Sequence, residues 1–223
     1  MTLQVGLIGL KGHRSVATGG ISARQDCRLA AVCGDDSAAL DAVAEWEAAD
    51  EDTRIFTDYG AMLDGVALDV VVEGATDNIR ADIIQTCARR GIHVLAEKPL
   101  AFDLAGLERV RKTVNETGIA LSMLLTMRYD PVYLGMKKVV EDGGLGEICQ
   151  ATMQKSYRLG ERPQWQRSND TFSGIIPFIG IHALDLIWYT SGLHFTGGAG
   201  FDGNIGHQEI RDMEDSCCLA VEV

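Results

Sequence analysis

The chain has 223 residues, 46% of them hydrophobic and 23% charged, which is the usage of a folded protein of one large or two modest domains and not of a disordered chain. Its formal charge is −12, with −7 over residues 1–124 and −5 over the rest, so no basic half is hidden in the total and a nucleic-acid partner is not expected. The N-terminus MTLQVGLIGL has no basic leader, no apolar run approaches the ~18 residues that span a bilayer, and the six cysteines lack C-x-x-C spacing, so a cytoplasmic protein with free thiols, no membrane contact and no metal is expected.

Through residue 124 the chain alternates between short apolar runs and amphipathic stretches. The runs are LQVGLIGL (3–10), LAAVCG (29–34), TRIFT (53–57), LDVVVEG (68–74), IHVLAE (92–97) and IALSML (119–124). Between them, Leu40, Val43, Ala44 and Trp46 predict one helical stripe, and Ile79, Ile83, Ile84 and Cys87 a second. Leu104, Leu107, Val110 and Val114 predict a third, with Asp103 as its N-cap. Strands separated by helices predict an α/β domain over 1–124, a Rossmann-like parallel sheet covered on both faces. The acidic run EWEAADEDTR (45–54) reads as the solvated end of the second helix. Past residue 125 the alternation stops. A helix over 132–142, a strand over 148–159, a long polar loop over 160–174, an apolar helix over 177–191 and terminal β pieces ending in CCLAVEV predict a smaller, incomplete α+β sheet domain over 125–223.

The first strand leads into GLIGLKGHRS (6–15). A dinucleotide fingerprint reads G-x-G-x-x-G; starting at Gly9, the second position is Lys11 and the third Arg14, with Gly12 between them and His13 beside it. A helix N-terminus still offers N–H groups to a pyrophosphate, and Lys11 and Arg14 carry charge of the right sign. The second strand closes as AVCGDD (31–36), where Asp35 either binds the ribose hydroxyls or caps the next helix. No Arg or Lys follows closely, which favours NAD, with NADP possible.

In VLAEKPLAF (94–102), Lys98 stands between Glu97 and Pro99 at the end of the fifth strand, where a trans Lys98–Pro99 bond is expected. With MRYDP (127–131) and GIHALDLIWY (180–189) following in the same order, residues 3 to about 192 resemble the Gfo/Idh/MocA family, named for glucose–fructose oxidoreductase and inositol dehydrogenase. The resemblance implies an NAD(P)-dependent dehydrogenase acting on a small-molecule sugar, cyclitol or related polyol. It places Lys98 at the nicotinamide and substrate hydroxyl, with Glu97 positioning the turn, and makes His182 the proton acceptor. Without the family, Lys98 reads as a snorkelling lysine capping a helix, and His182 as a core histidine. Phe178 stands where the family has the Asp that pairs with this His; Asp185, three residues after His182, is the substitute. Arg128, Tyr157, Arg162 and Trp165 form a candidate substrate wall, since Arg suits carboxylates and phosphates, or else a solvated loop. Members of the family are longer, so the open sheet edge over Leu219–Val223 predicts a homo-oligomer joined through the C-terminal sheet, or a shortened chain. The departures at Lys11, Arg14, Gly34 and Phe178 keep open an alternative, a non-catalytic nucleotide-binding or regulatory protein on the same fold.

Overall fold

A computed structural model describes residues 2–210 and 212–223. They form two compact units, Met1–Leu124 and Leu125–Val223. The first holds strands β1 (Leu3–Ile8), β2 (Cys27–Cys33), β3 (Arg54–Phe56), β4 (Val70–Glu73), β5 (His93–Ala96) and β6 (Leu121–Met123). They make one sheet in the order β3-β2-β1-β4-β5-β6, with every pairing parallel. The helices are α1 (Arg14–Ser22), α2 (Ser37–Asp41), α3 (Tyr59–Gly65), α4 (Asp77–Arg89) and α5 (Leu104–Thr117). This is the Rossmann-like α/β sheet expected from the alternation.

Both faces of the sheet are covered, and the strand period sorts the side chains. Val5, Leu7 and Val72 join the cluster under α1 and α2, whereas Ile8 and Val71 join the one with Met62, Ile83, Ile84 and Val110. In β2 the rule breaks once: Leu29 and Val32 share a face although three residues apart. The register explains it, since Val5 faces Leu29 while Gly6 faces Ala31, leaving Ala30 as an extra residue that resets the alternation.

Three helical expectations need correction. The second helix stops after Asp41, continues as a 3-10 turn over Ala42–Glu45, and leaves Trp46 extended, so most of the acidic run is turn and loop. There Asp50 bonds Arg28 Nε at 2.8 Å and pins the loop to β2. A short helix, α3, was not foreseen; Asp58 caps it by accepting the Ala61 N–H at 2.7 Å. In α5, Asp103 caps as expected by accepting the Gly106 N–H at 2.6 Å, but Leu104 is 84% exposed, so the apolar stripe rests on Val110 and Val114.

The second unit has α6 (Pro131–Glu141), α7 (Ile181–Ser191), and strands β7 (Gly197–Gly203) and β8 (Ser216–Glu222) paired antiparallel. Asp130 caps α6 through the Val132 N–H at 2.9 Å, with Pro131 in the first turn. The strand expected over 148–159 does not form. A strand needs a neighbour's N–H and C=O groups, and among the described residues β7 and β8 pair only with each other. The segment runs irregularly instead, and Gln150–Tyr157 wall a cavity of about 960 Å³ together with α7 and β8.

One buried charge cluster ties the first unit together. Arg80 on α4 is 2% exposed, and Glu73 and Asp77 are fully buried. The Arg80 guanidinium donates from Nε to Glu73 at 2.6 Å, from Nη1 to Asp77 at 2.8 Å and to the Pro99 carbonyl at 2.8 Å, and from Nη2 to the Ala75 carbonyl at 2.7 Å. Glu73 also accepts the Ala75 N–H at 2.7 Å. Burial pushes the Glu73 carboxyl up to about 7, against the pull of Arg80 and that N–H.

Removing the guanidinium leaves two buried carboxylates without it. Arg80→Met is therefore expected to destabilise the chain by ~3–5 kcal/mol, measured by urea unfolding; a loss below ~1 kcal/mol would show the cluster to be dispensable. Because folding raises the Glu73 pKa above its ordinary 4.5, the stability it contributes is complete below about pH 4.5 and is lost as the pH rises through about 7. Glu73→Gln removes that titration, so its melting temperature should change less than the parent's between about pH 5 and about pH 7.5. Parallel curves for the two proteins would refute the assignment.

Candidate functional site

In an open parallel sheet the crevice lies beyond the strand carboxyl ends, where the strand order reverses; here that point is between β1 and β4. The turns leaving these strands touch. The Gly74 N–H donates to the Ile8 carbonyl at 2.7 Å, and the Lys11 N–H to the Gly74 carbonyl at 3.0 Å. Gly9 has φ +83°, and a Cβ there would collide with the Gly74–Ala75 backbone, so only glycine lets the two turns approach. Gly12 has φ +67°, and a Cβ there would collide with the Glu97 carboxylate. Its freedom thus serves a contact with Glu97.

Two clusters result from the residues singled out in sequence. In the first, the Lys11 ammonium bonds both Asp35 oxygens, at 3.0 and 3.1 Å, and this bond holds the Asp35 carboxyl below its usual range. Gly9, Lys11 and Asp35 line a crevice of about 140 Å³ with Gly34, Asp58, Thr76 and Ile79. Asp35 does not cap α2; Asp36 does, accepting the Ala38 and Ala39 N–H groups at 3.0 and 3.2 Å. Asp35 is thereby left at the mouth of the crevice, 73% exposed in its side chain. Arg14 lies over the Trp46 ring at 5.0 Å.

The second cluster centres on Glu97, which is buried. Its carboxylate accepts both the backbone N–H of His13, at the start of α1, and the His13 ring Nδ1, the latter at 2.8 Å. Burial pushes the Glu97 carboxyl up, but the two His13 bonds and the charge of Lys98 outweigh it and bring it below the usual carboxylate range. Lys98 follows, 5% exposed, which sets aside a solvated, snorkelling lysine. The Lys98–Pro99 bond is cis, correcting the trans expectation; the tertiary amide narrows the gap enough for either isomer. Arg80, which donates to the Pro99 carbonyl, and its carboxylate partners Glu73 and Asp77 were missed in sequence. A carboxylate ending a strand, with Asp and Arg four and seven residues on, is the signal that was present.

These residues fit a dinucleotide. The close-packed glycine turn leads into a nine-residue helix with no side-chain cap on its N-terminus, and a lowered carboxylate stands at the end of β2 where a ribose diol is read.

In the second unit His182 is buried on α7, and a π turn over Ile176–Gly180 precedes it, so residue 178 does not stack over residue 182 as in a regular helix. Phe178 packs edge-on to Phe172 and Trp165, with centroids 5.1 and 6.0 Å away. Trp165 thus belongs to an aromatic cluster. Asp185 receives the guanidinium of Arg128 in a two-pronged pair, with Nε at 2.9 Å from Oδ2 and Nη2 on Oδ1. The same guanidinium lies over the Trp188 and Tyr189 rings at 5.1 and 5.2 Å. Tyr157 and Arg162 come together, the guanidinium 5.4 Å from the ring, on the wall of the 960 Å³ cavity. Arg128 and Trp165 do not line that cavity. Among the described residues, no group of three or more His, Cys, Asp or Glu side chains is placed to hold a metal ion, and no helix is long and apolar enough to cross a membrane.

Comparison with known proteins agrees with this geometry. Residues 3–124 match the model of the Gfo/Idh/MocA oxidoreductase family with an NAD-binding Rossmann fold. Inositol 2-dehydrogenase 2 of Saccharopolyspora erythraea is 35% identical over 190 residues, 83% of this chain and 53% of that protein. Inositol 2-dehydrogenase of Rhizobium meliloti is 30% identical over 153 residues, 69% of this chain and 45% of that protein. The chain thus spans about half the length of the curated relatives it matches. A Thermotoga maritima structure, provisionally named an oxidoreductase, superposes with a TM-score of 0.89 at 26% identity, covering 99% of this chain and 68% of that one. By its Rossmann half, the chain belongs to the Gfo/Idh/MocA oxidoreductase family.

Proposed function

We propose that this chain transfers a hydride between a nicotinamide and a secondary alcohol, or the corresponding carbonyl, of a cyclitol, sugar or related polyol. The observation that carries the reading is Lys98: a buried lysine just beyond β5, at the crevice end of an NAD-binding Rossmann sheet. The names of the inositol dehydrogenase relatives support the substrate class. NAD(P), when bound, supplies the hydride acceptor or donor. Gly9, Lys11, Gly12, His13, Arg14 and the first turn of α1 hold its pyrophosphate, and Asp35 accepts from the ribose hydroxyls. Lys98 donates to the reacting oxygen and stabilises the negative charge that grows there. His182 takes the hydroxyl proton. Arg128, Tyr157, Arg162 and Trp165 are assigned to the substrate side, Arg128 acting through Asp185. The free thiols suit a reducing, cytoplasmic setting.

A second reading, nucleotide binding without catalysis, is favoured by two observations. Phe178 fills an aromatic cluster where the family's carboxylate would stand, and Asp185 is committed to Arg128. Titration with NADH, followed by turnover on a panel of inositols and sugars, separates the two: tight binding without turnover on any polyol would sink the catalytic reading. In the catalytic case, Lys98→Met and His182→Asn should each lower kcat by roughly two to three decades while leaving the NADH Kd within about threefold.

We also propose that the chain self-associates through β8, whose second edge has no partner among the described residues. Light scattering should give a mass above that of one chain and rising with concentration; a constant single-chain mass would overturn this.

A further inference from the structure

We propose that Arg80 is a positioning residue for Lys98, an assignment that rests on the catalytic reading of Lys98. Lys98 is held from both sides. On one side the Glu97 N–H donates to the Glu73 carbonyl at 2.9 Å, and the Glu97 carboxylate is clamped on His13. On the other, the next residue, Pro99, offers its carbonyl to Arg80 Nη1 at 2.8 Å. That same Nη1 reaches Asp77 at the N-terminus of α4, while Nε and Nη2 reach Glu73 and Ala75 at the end of β4. A single planar guanidinium therefore ties the turn carrying Lys98 to the strand and the helix on its flank. The geometry exceeds what charge balance requires. A lysine ammonium would bring the same single positive charge to Glu73 and Asp77, but it is a compact donor without the guanidinium's fixed fork. It cannot span the Ala75 and Pro99 carbonyls as well. Arg80 is not itself among the residues lining the crevice, although Ala75, whose carbonyl it holds, is; its effect on Lys98 passes through the backbone of residues 97–99.

The test is Arg80→Lys in the full chain, which keeps the cation and gives up the fork. Turnover is expressed per NADH-binding equivalent, so unfolded chains do not count. Misplacing a reacting group by about 1 Å costs on the order of a hundredfold, so kcat should fall at least about tenfold, with the KM for the polyol and the NADH Kd within about threefold. Activity that falls only in proportion to lost NADH binding would make Arg80 merely structural and overturn the proposal. A second readout needs no turnover: acetylation of Lys98 by acetic anhydride, followed by mass spectrometry. Lys98 is buried in the parent, and its amine should react at least about tenfold faster in an Arg80→Lys chain that still binds NADH. An unchanged rate would overturn the proposal. Lys98→Met separates the two levels. If it keeps parental turnover, the catalytic reading fails and this inference with it. If it loses turnover while Arg80→Lys keeps it, only the role of Arg80 fails.

Discussion

The buried guanidinium of Arg80 is the constraint on which the first unit's geometry turns. Three elements meet at it: the end of β4 through Glu73 and Ala75, the start of α4 through Asp77, and the turn after β5 through Pro99. A charge this deep is tolerated only when it is well partnered, and the four bonds give each of its three nitrogens a partner from two carboxylates and two backbone carbonyls. The carbonyls are the informative half. Carboxylates could be exchanged with the arginine for apolar residues of similar volume at little loss of stability, but the Ala75 and Pro99 carbonyls would then lose their donor. What the cluster adds beyond stability is a defined path for the chain around Lys98.

The same principle of close approach governs the neighbouring turn. Gly9 is needed by the backbone of Gly74–Ala75, and Gly12 by the carboxylate of Glu97. The fingerprint reading, which assigns glycines to the pyrophosphate, therefore describes only part of what these positions do. It explains how the turn keeps its shape with Lys11 and Arg14 in place of the second and third glycines. Lys11 is drawn aside to Asp35, and Arg14 is turned onto Trp46. Neither side chain needs the space that glycine would have left open.

The central strands β1, β2, β4 and β5 were legible because a sheet buried on both faces demands continuous apolar runs; β3 and β6, at the sheet's edges and without a buried residue, followed from the alternation of the chain. Helix extent was less so. Leu40 and Val43 are both buried, but α2 stops after Asp41 and gives way to a 3-10 turn, a tightening that a periodic pattern of four residues does not register. The 148–159 alternation shows the opposite failure. Alternating side chains state a preference for an extended backbone, but a strand exists only with a neighbour, and no local pattern encodes where that neighbour is. The Glu73–Asp77–Arg80 spacing is present in the sequence but does not declare its burial: on a helix, arginine three residues after aspartate reads as a surface pair, and only the fold shows that this face is turned inward.

The second unit shows how far residue-by-residue transfer from a family reaches. His182 and Asp185 sit on one helix at the spacing the motif suggests, and the substitute pairing between them looks reasonable on that spacing. The structure gives the Asp185 carboxylate to Arg128, whose guanidinium is also stacked on Trp188 and Tyr189, so the acid is held by a partner 57 residues away. Phe178, in turn, is no isolated loss of a carboxylate, since Trp165 and Phe172 close around it edge-on. Restoring an acid there would place a carboxylate against the rings of Trp165 and Phe172, where desolvation opposes its charge. The departure at 178 and the aromatic packing around it are thus one feature, and an account of how His182 is oriented has to begin from its buried surroundings on α7, not from the missing acid.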